Sequence, residues 1–261
     1  DFMSKMNLWN IIKDLKSDDY FWVDLSRDMS PKTPHWSGFD DMKAVKTFDY
    51  YENKNNEPWQ EAPMRVYVYT FTGQYGTHVD MPSHFDQKGR NQEEIMPKEM
   101  VYPLCVIDKS KEVAQNPDFI LKKNDILKWE EEYGKIPEDA FVAFRSDWHK
   151  REENFDNIDE NGIPHNPGWD ADTIEFLVKE RNIGAIGHEY ANTDPAFITM
   201  REGMYPYPAE KTILSNDRIQ IELMAHLDQC PATGGIIICT FPKVIGGTGF
   251  PVRCIGIFPK E

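Results

Sequence analysis

Apolar residues recur at helical spacing near the N-terminus. Met6, Leu8, Trp9, Ile12 and Leu15 fall on one side of residues 5–20 and predict an amphipathic helix. Residues 21–26, Phe-Trp-Val-Asp-Leu-Ser, read as a strand, followed to Asp41 by a loop rich in Ser, Pro, Asp and Gly. Residues 64–71 are dominated by β-formers (Val66, Tyr67, Val68, Tyr69) and predict a strand that runs straight on towards residue 73. Further strands are expected at 102–108, 140–148, 183–189 and 235–241. Helices are expected from Lys123 to Tyr133, with Asp125 as N-cap, and from Asp172 to Arg181. The polar stretch 86–100 is expected around a site mouth, and 149–168 as a charged loop. This alternation of strands and helices predicts an α/β fold without internal repeat.

The densest chemistry lies in residues 73–85, Gly-Gln-Tyr-Gly-Thr-His-Val-Asp-Met-Pro-Ser-His-Phe. In a strand, His78 and Asp80 project from the same face. An imidazole and a carboxylate at that spacing suit a divalent metal such as zinc or manganese. Gly76 permits close approach of a backbone or ligand, and Pro82 ends the ladder. His84, just beyond, is a candidate for a further ligand or a proton carrier. Trp36 and Phe39 are candidates for an aromatic pocket wall.

Composition narrows the field. Of 261 residues 40% are hydrophobic and 13% aromatic, which argues against disorder. No apolar run reaches the length of a membrane span. A net charge of −15 repels nucleic-acid phosphates and anionic lipid, so neither is an expected partner. Cys105, Cys230, Cys239 and Cys254 form no Cys-x-x-Cys pair and read as free thiols. With no signal-peptide pattern visible in residues 1–6, a cytoplasmic location is expected.

The stretch Gly76–His84 resembles the signature of the cyclase family of metal-dependent hydrolases, which includes bacterial kynurenine formamidases (arylformamidases) and isatin hydrolases. That signature reads His-x-Gly-Thr-His-x-Asp-x-Pro-x-His. The chain departs at its first position, where Gln74 replaces a metal-ligating His and offers a weaker carboxamide oxygen. The resemblance extends over about residues 20–258, through Asp24-Leu25-Ser26, Arg145-Ser146-Asp147, Thr193-Asp194-Pro195 and the Gly/Phe/Pro-rich turn at 246–253. In its third region, two-metal members carry a His and a Glu twelve residues apart, and here those positions hold Glu210 and Glu222.

The resemblance implies a single-domain, cyclase-like (swivelling β/β/α) fold over 20–261, with a mixed β-sheet core flanked by helices. It further implies a helical arm over 1–19 that touches a partner in a homodimer or homotetramer. The implied ligands are His78, Asp80, Gln74, Glu222 and Glu210 around Mn2+ or Zn2+, with His84 as the catalytic proton carrier and Thr77 in a supporting hydrogen bond. The implied activity is hydrolysis of the C–N bond in a small aryl-formamide or cyclic amide by metal-activated water. The competing readings are a cyclase or dehydratase on another carbonyl compound, and a non-catalytic binding protein. Glu189 and Asp194 are expected to cap their turn through backbone N–H groups, and His226 to sit on the surface one helical turn past Glu222.

Overall fold

The computed structural model describes residues 7–51, 60–151, 153–201 and 206–260. The chain opens with α1 (Leu8–Leu15), β1 (Tyr20–Asp24), β2 (Lys43–Tyr50), β3 (Gln60–Ala62), β4 (Val66–Thr70) and β5 (His78–Asp80). It continues through β6 (Val101–Asp108), α2 (Ser110–Gln115), β7 (Ile120–Leu121), α3 (Lys123–Tyr133), β8 (Phe141–Arg145), β9 (Gly168–Trp169), α4 (Ala171–Arg181) and β10 (Ala185–His188). It closes with α5 (Ala196–Thr199), α6 (Pro208–Ser215), β11 (Ile219–Glu222), β12 (Gly235–Thr240), β13 (Gly249–Pro251) and β14 (Arg253–Pro259).

Nine strands form one mixed sheet in the order β1-β14-β12-β6-β8-β10-β11-β5-β13. Its centre, β6-β8-β10-β11, is parallel, and antiparallel strands extend it on both sides. β6 and β8 and most of β10 are apolar on both faces, as burial under two layers requires, while Gln220 and Glu222 make one face of β11 polar. Val142, Phe144 and Ile186 point to one face and pack with Ile126, Trp129, Ile174, Leu177 and Ile213 of α3, α4 and α6. Phe141, Ala143, Ala185, Val79 and Ile221 point to the other and join Leu104, Ile237 and Phe258. The mixed, helix-flanked α/β sheet is the one expected.

Several expected boundaries shift. The described part of the first helix covers only Leu8–Leu15, its apolar side lies exposed, and residues 5 and 6 of the expected span lie outside the described residues. The strand at 66–70 does not run on into the motif. β4 belongs to a separate sheet, β3-β2-β4, and all five of its residues are exposed. Glycines explain the break: Gly76 adopts φ +62, and a Cβ on Gly73 would sit 2.6 Å from the Gly249 carbonyl. Asp125 is the third residue of α3 rather than its N-cap, and its carboxylate accepts the Lys122 backbone N–H at 3.0 Å. No α-helix follows Glu222, because Leu223 and His226 both take left-handed φ values; only a 3-10 turn over Leu227–Gln229 comes after. His226 is half-buried and bonds the Asp24 carbonyl through Nδ1.

Candidate metal centre and substrate cavity

Strand register builds the centre. β5 and β11 run antiparallel with His78 opposite Glu222 and Asp80 opposite Gln220. Period-2 alternation therefore sends all four side chains to one face, while Val79 and Ile221 anchor the pair in the core on the other. Pro82 then opens a 3-10 turn over Pro82–His84 that lifts His84 back above that face. Asp194 accepts the backbone N–H groups of Ala209 (2.8 Å) and Glu210 (3.1 Å), fixing the first turn of α6 and with it Glu210.

His78, Asp80 and Glu222 are buried, and one ligand atom from each lies within 4.8 Å of the others. His78 Nδ1 donates to the Gly76 carbonyl at 2.8 Å, which aims Nε2 at Asp80 Oδ2 and Glu222 Oε2, each 3.4 Å away. Asp80 Oδ1 is buried and accepts no hydrogen bond. A buried imidazole lone pair facing two carboxylates, one with a free oxygen, fits a divalent cation. His84 stands one step out, its Nε2 3.8 Å from Glu210 Oε1 and 4.0 Å from Asp80 Oδ1. Of the other expected ligands, Glu210 lies beside the trio rather than in it, and Gln74 lines the same cavity with its amide nitrogen turned to Thr248 Oγ1 at 3.3 Å.

Without a cation His78 holds a proton instead. Burial works against a charged His78, but Asp80 and Glu222 outweigh it and raise the imidazole to about 9. Asp80 is pulled down to about 2, against its burial, by His78, His84 and the Gln220 amide. Glu210 is pushed well up, by burial first and then by the charges of Glu222 and Asp80. Metal binding needs the neutral imidazole, so the proton on His78 must leave. Apparent metal affinity should rise with pH up to about 9, and binding at pH 7 should expel a proton. Calorimetric titration in buffers of different ionisation enthalpy checks this, and buffer-independent heats would contradict it.

The centre forms the floor of a cavity of about 280 Å³. Trp36, Phe39, Phe85 and Tyr207 supply aromatic walls, as expected for the first two. Trp36 and Phe39 meet edge to face at 4.9 Å, as do Phe85 and Tyr207 at 5.7 Å. Residues 86–100 do not border it. They form short 3-10 turns instead, at 92–94 and 97–100. Glu189 does accept a backbone N–H, but from Ser146 (2.7 Å) on a neighbouring loop rather than from its own turn. Asp194 likewise serves a remote helix rather than the 193–195 turn.

Thr77 does not touch the trio. Its hydroxyl donates to the Leu223 carbonyl at 2.6 Å and accepts the Arg27 N–H at 2.9 Å, tying the 26–41 loop to the end of β11. Thr77→Val leaves both backbone groups unpaired and should cost about 1–3 kcal/mol. A chain of this size then loses roughly 2–10 °C in Tm. Metal content should stay unchanged, and an unshifted melting curve would show the bridge to be idle.

Sequence reasoning missed Gln220, Asn192, Phe85 and Tyr207, while His188 lies where the strand 183–189 was expected to reach the pocket. Gln220 was within reach: it sits two residues before Glu222 in a strand, and so shares its face. His188 Nε2 lies 3.3 Å from Glu222 Oε1, on the same face of the neighbouring β10. Asn192 and Tyr207 come from irregular segments, where no periodicity announces direction.

Comparison with known proteins gives matches over most of the chain. A family model described as "Putative cyclase" matches residues 23–195. An isatin hydrolase from Roseibium aggregatum is 33% identical over 247 residues, covering 91% of this chain and 92% of that protein. A kynurenine formamidase from Salinibacter ruber is 23% identical over 234 residues, with coverages of 89% and 95%. Among solved structures, isatin hydrolase A from Ralstonia solanacearum superposes with a TM-score of 0.87 at 28% identity over 98% of both chains. An isatin hydrolase bound to the product analogue thioisatinate gives 0.86 at 29% identity, covering 97% of this chain and 98% of that one.

Proposed function

This chain belongs to the cyclase family, and from that premise we propose that it is a metal-dependent hydrolase opening a neutral, planar cyclic amide of the isatin type. The observation that carries the reading is the cavity wall. Among the described residues lining it there is no Lys or Arg, while Asp80, Glu210 and Glu222 form its floor and aromatic rings its sides. A flat, uncharged bicyclic amide stacks between such walls and presents its carbonyl to the floor. N-formylkynurenine, with its amino-acid carboxylate, finds no cationic side chain there to pair with.

His78, Asp80 and Glu222 would hold the cation. One imidazole and two carboxylates suit manganese or zinc. When bound, a divalent ion supplies a water acidic enough to act as nucleophile at neutral pH and a positive charge for the carbonyl oxygen. The chain supplies the rest. His84 reaches over the floor from its 3-10 turn, and its Nε2 takes the proton from the attacking water and returns it to the leaving nitrogen. Glu210, 3.8 Å away, orients that imidazole. Trp36 and Phe39 fix the ring plane so that the face of the carbonyl is open to the attacking water. The exposed Leu8, Trp9 and Ile12 of α1 support a contact between copies in a homodimer or homotetramer, with residues 1–19 as the arm and 20–261 as the catalytic domain.

The test is the ratio of kcat/KM for isatin and N-formylkynurenine with Mn2+- and Zn2+-loaded protein. Isatin should be preferred at least ~10-fold, the worth of one unpaired buried charge or more. Preference for the formamide, or turnover of neither, overturns this assignment.

A further inference from the structure

Three carboxylates, Asp80, Glu210 and Glu222, converge on one buried spot, and a single amide nitrogen touches all three. Gln220 Nε2 lies 3.0 Å from Asp80 Oδ2, 3.1 Å from Glu210 Oε1 and 3.4 Å from Glu222 Oε1. Gln220 is fully buried, and its carbonyl oxygen is pinned by the Thr193 hydroxyl at 2.7 Å. The carboxylates only accept, so they take the NH2 end of the amide, and the Thr193 hydroxyl serves its oxygen. The two oxygens of Glu222 are thereby divided: Oε2 faces His78 and the candidate metal position, while Oε1 faces Gln220, Thr193 and His188.

The geometry points to Gln220 as a positioning residue that limits this centre to one metal ion, its amide group standing where a second cation would bridge Asp80, Glu210 and Glu222. The inference rests on the reading that His78, Asp80 and Glu222 hold a cation. Its physical basis is that clustered carboxylates need a positive partner. They can find it in a second dication or in the partial positive charge of N–H donors. Here the donors are built into the chain. The neighbouring strand holds them in register, because Gln220 pairs directly with Asp80 across β5 and β11. A second ion would have to displace an amide that two strands and Thr193 keep in place. With the amide there, the carboxylates are spaced for the first ion, and this organisation of ligands by an outer partner is commonly worth about 10–100-fold in metal affinity.

The test is stoichiometry. Metal-free full-length protein is titrated with Mn2+ by equilibrium dialysis, with bound metal counted by elemental analysis and free Mn2+ by its electron paramagnetic resonance. Wild type should bind one ion per chain, with the resonance of an isolated ion. Gln220→Ala removes the donors and opens the space, and should bind two ions, the pair giving an exchange-coupled signal. The first ion should bind about 10–100-fold more weakly than in wild type. A purely structural role would lower stability without changing the count. Two ions in wild type overturn the inference and leave the proposed hydrolase standing. No ion at all overturns both. A folded Gln220→Ala protein, checked by circular dichroism, that still binds one ion also overturns it. If that variant fails to fold, Gln220→Ser is the second probe, and the wild-type count decides alone.

Discussion

Asp80→Asn should empty the centre and all but abolish turnover. The substitution keeps the shape of the side chain and removes its charge, so its effect isolates the carboxylate. Asp80 is one of only two acids in the trio, lies 3.4 Å from His78 and carries a buried oxygen free of any hydrogen bond. An asparagine would also set its own amide hydrogens against those of Gln220, which now donates to Asp80 at 3.0 Å. A metal contributes several kcal/mol of charge stabilisation to the transition state, so losing it should cost on the order of 10³-fold or more in kcat/KM. Elemental analysis should find the purified variant without metal. Retained metal together with near wild-type turnover would remove Asp80, and the centre built on it, from the mechanism.

His84→Ala should separate chemistry from metal binding. His84 touches Asp80 and Glu210 only at 4.0 and 3.8 Å and is the partly open imidazole of the group, with 29% of its side chain exposed where His78 has 4%. It stands where a substrate can be reached, outside the closest set of ligand atoms. The variant should fold, keep its metal and bind substrate with a similar KM, while kcat falls by about 10²–10⁴-fold, the usual worth of a positioned general acid–base. Partial rescue by added imidazole would mark the missing proton carrier. Loss of metal in this variant would instead make His84 a ligand.

The chain disclosed its centre unevenly. His78 and Asp80 were legible because period-2 alternation in a strand is a local rule, and the register with β11 merely completes it. Glu222 came from the resemblance, and the structure brings it to His78 through a pairing that no local pattern encodes. Gln74 came from its position in the motif; it lines the same cavity, where the Thr248 hydroxyl of a distant turn engages its amide nitrogen. The larger error, a strand over 64–71 leading straight into the motif, arose because β-propensity says nothing about which sheet a segment joins. Gly73 and Gly76 mark the break, but their meaning depends on the Gly249 carbonyl and a left-handed φ that only the folded chain reveals. The central strands and long helices were the easiest part, since burial on both faces leaves continuous apolar runs.

The pairing of β5 with β11 joins residues 140 positions apart in the chain, as between Gln220 and Asp80. Ends so distant close late and at high entropic cost during folding. Until they do, the acids and imidazoles of the centre are scattered along a loose polymer with no grip on an ion. Metal uptake should therefore act as a clock for a late step of maturation, silent through collapse and helix formation and switching on only when the β5–β11 ladder zips shut.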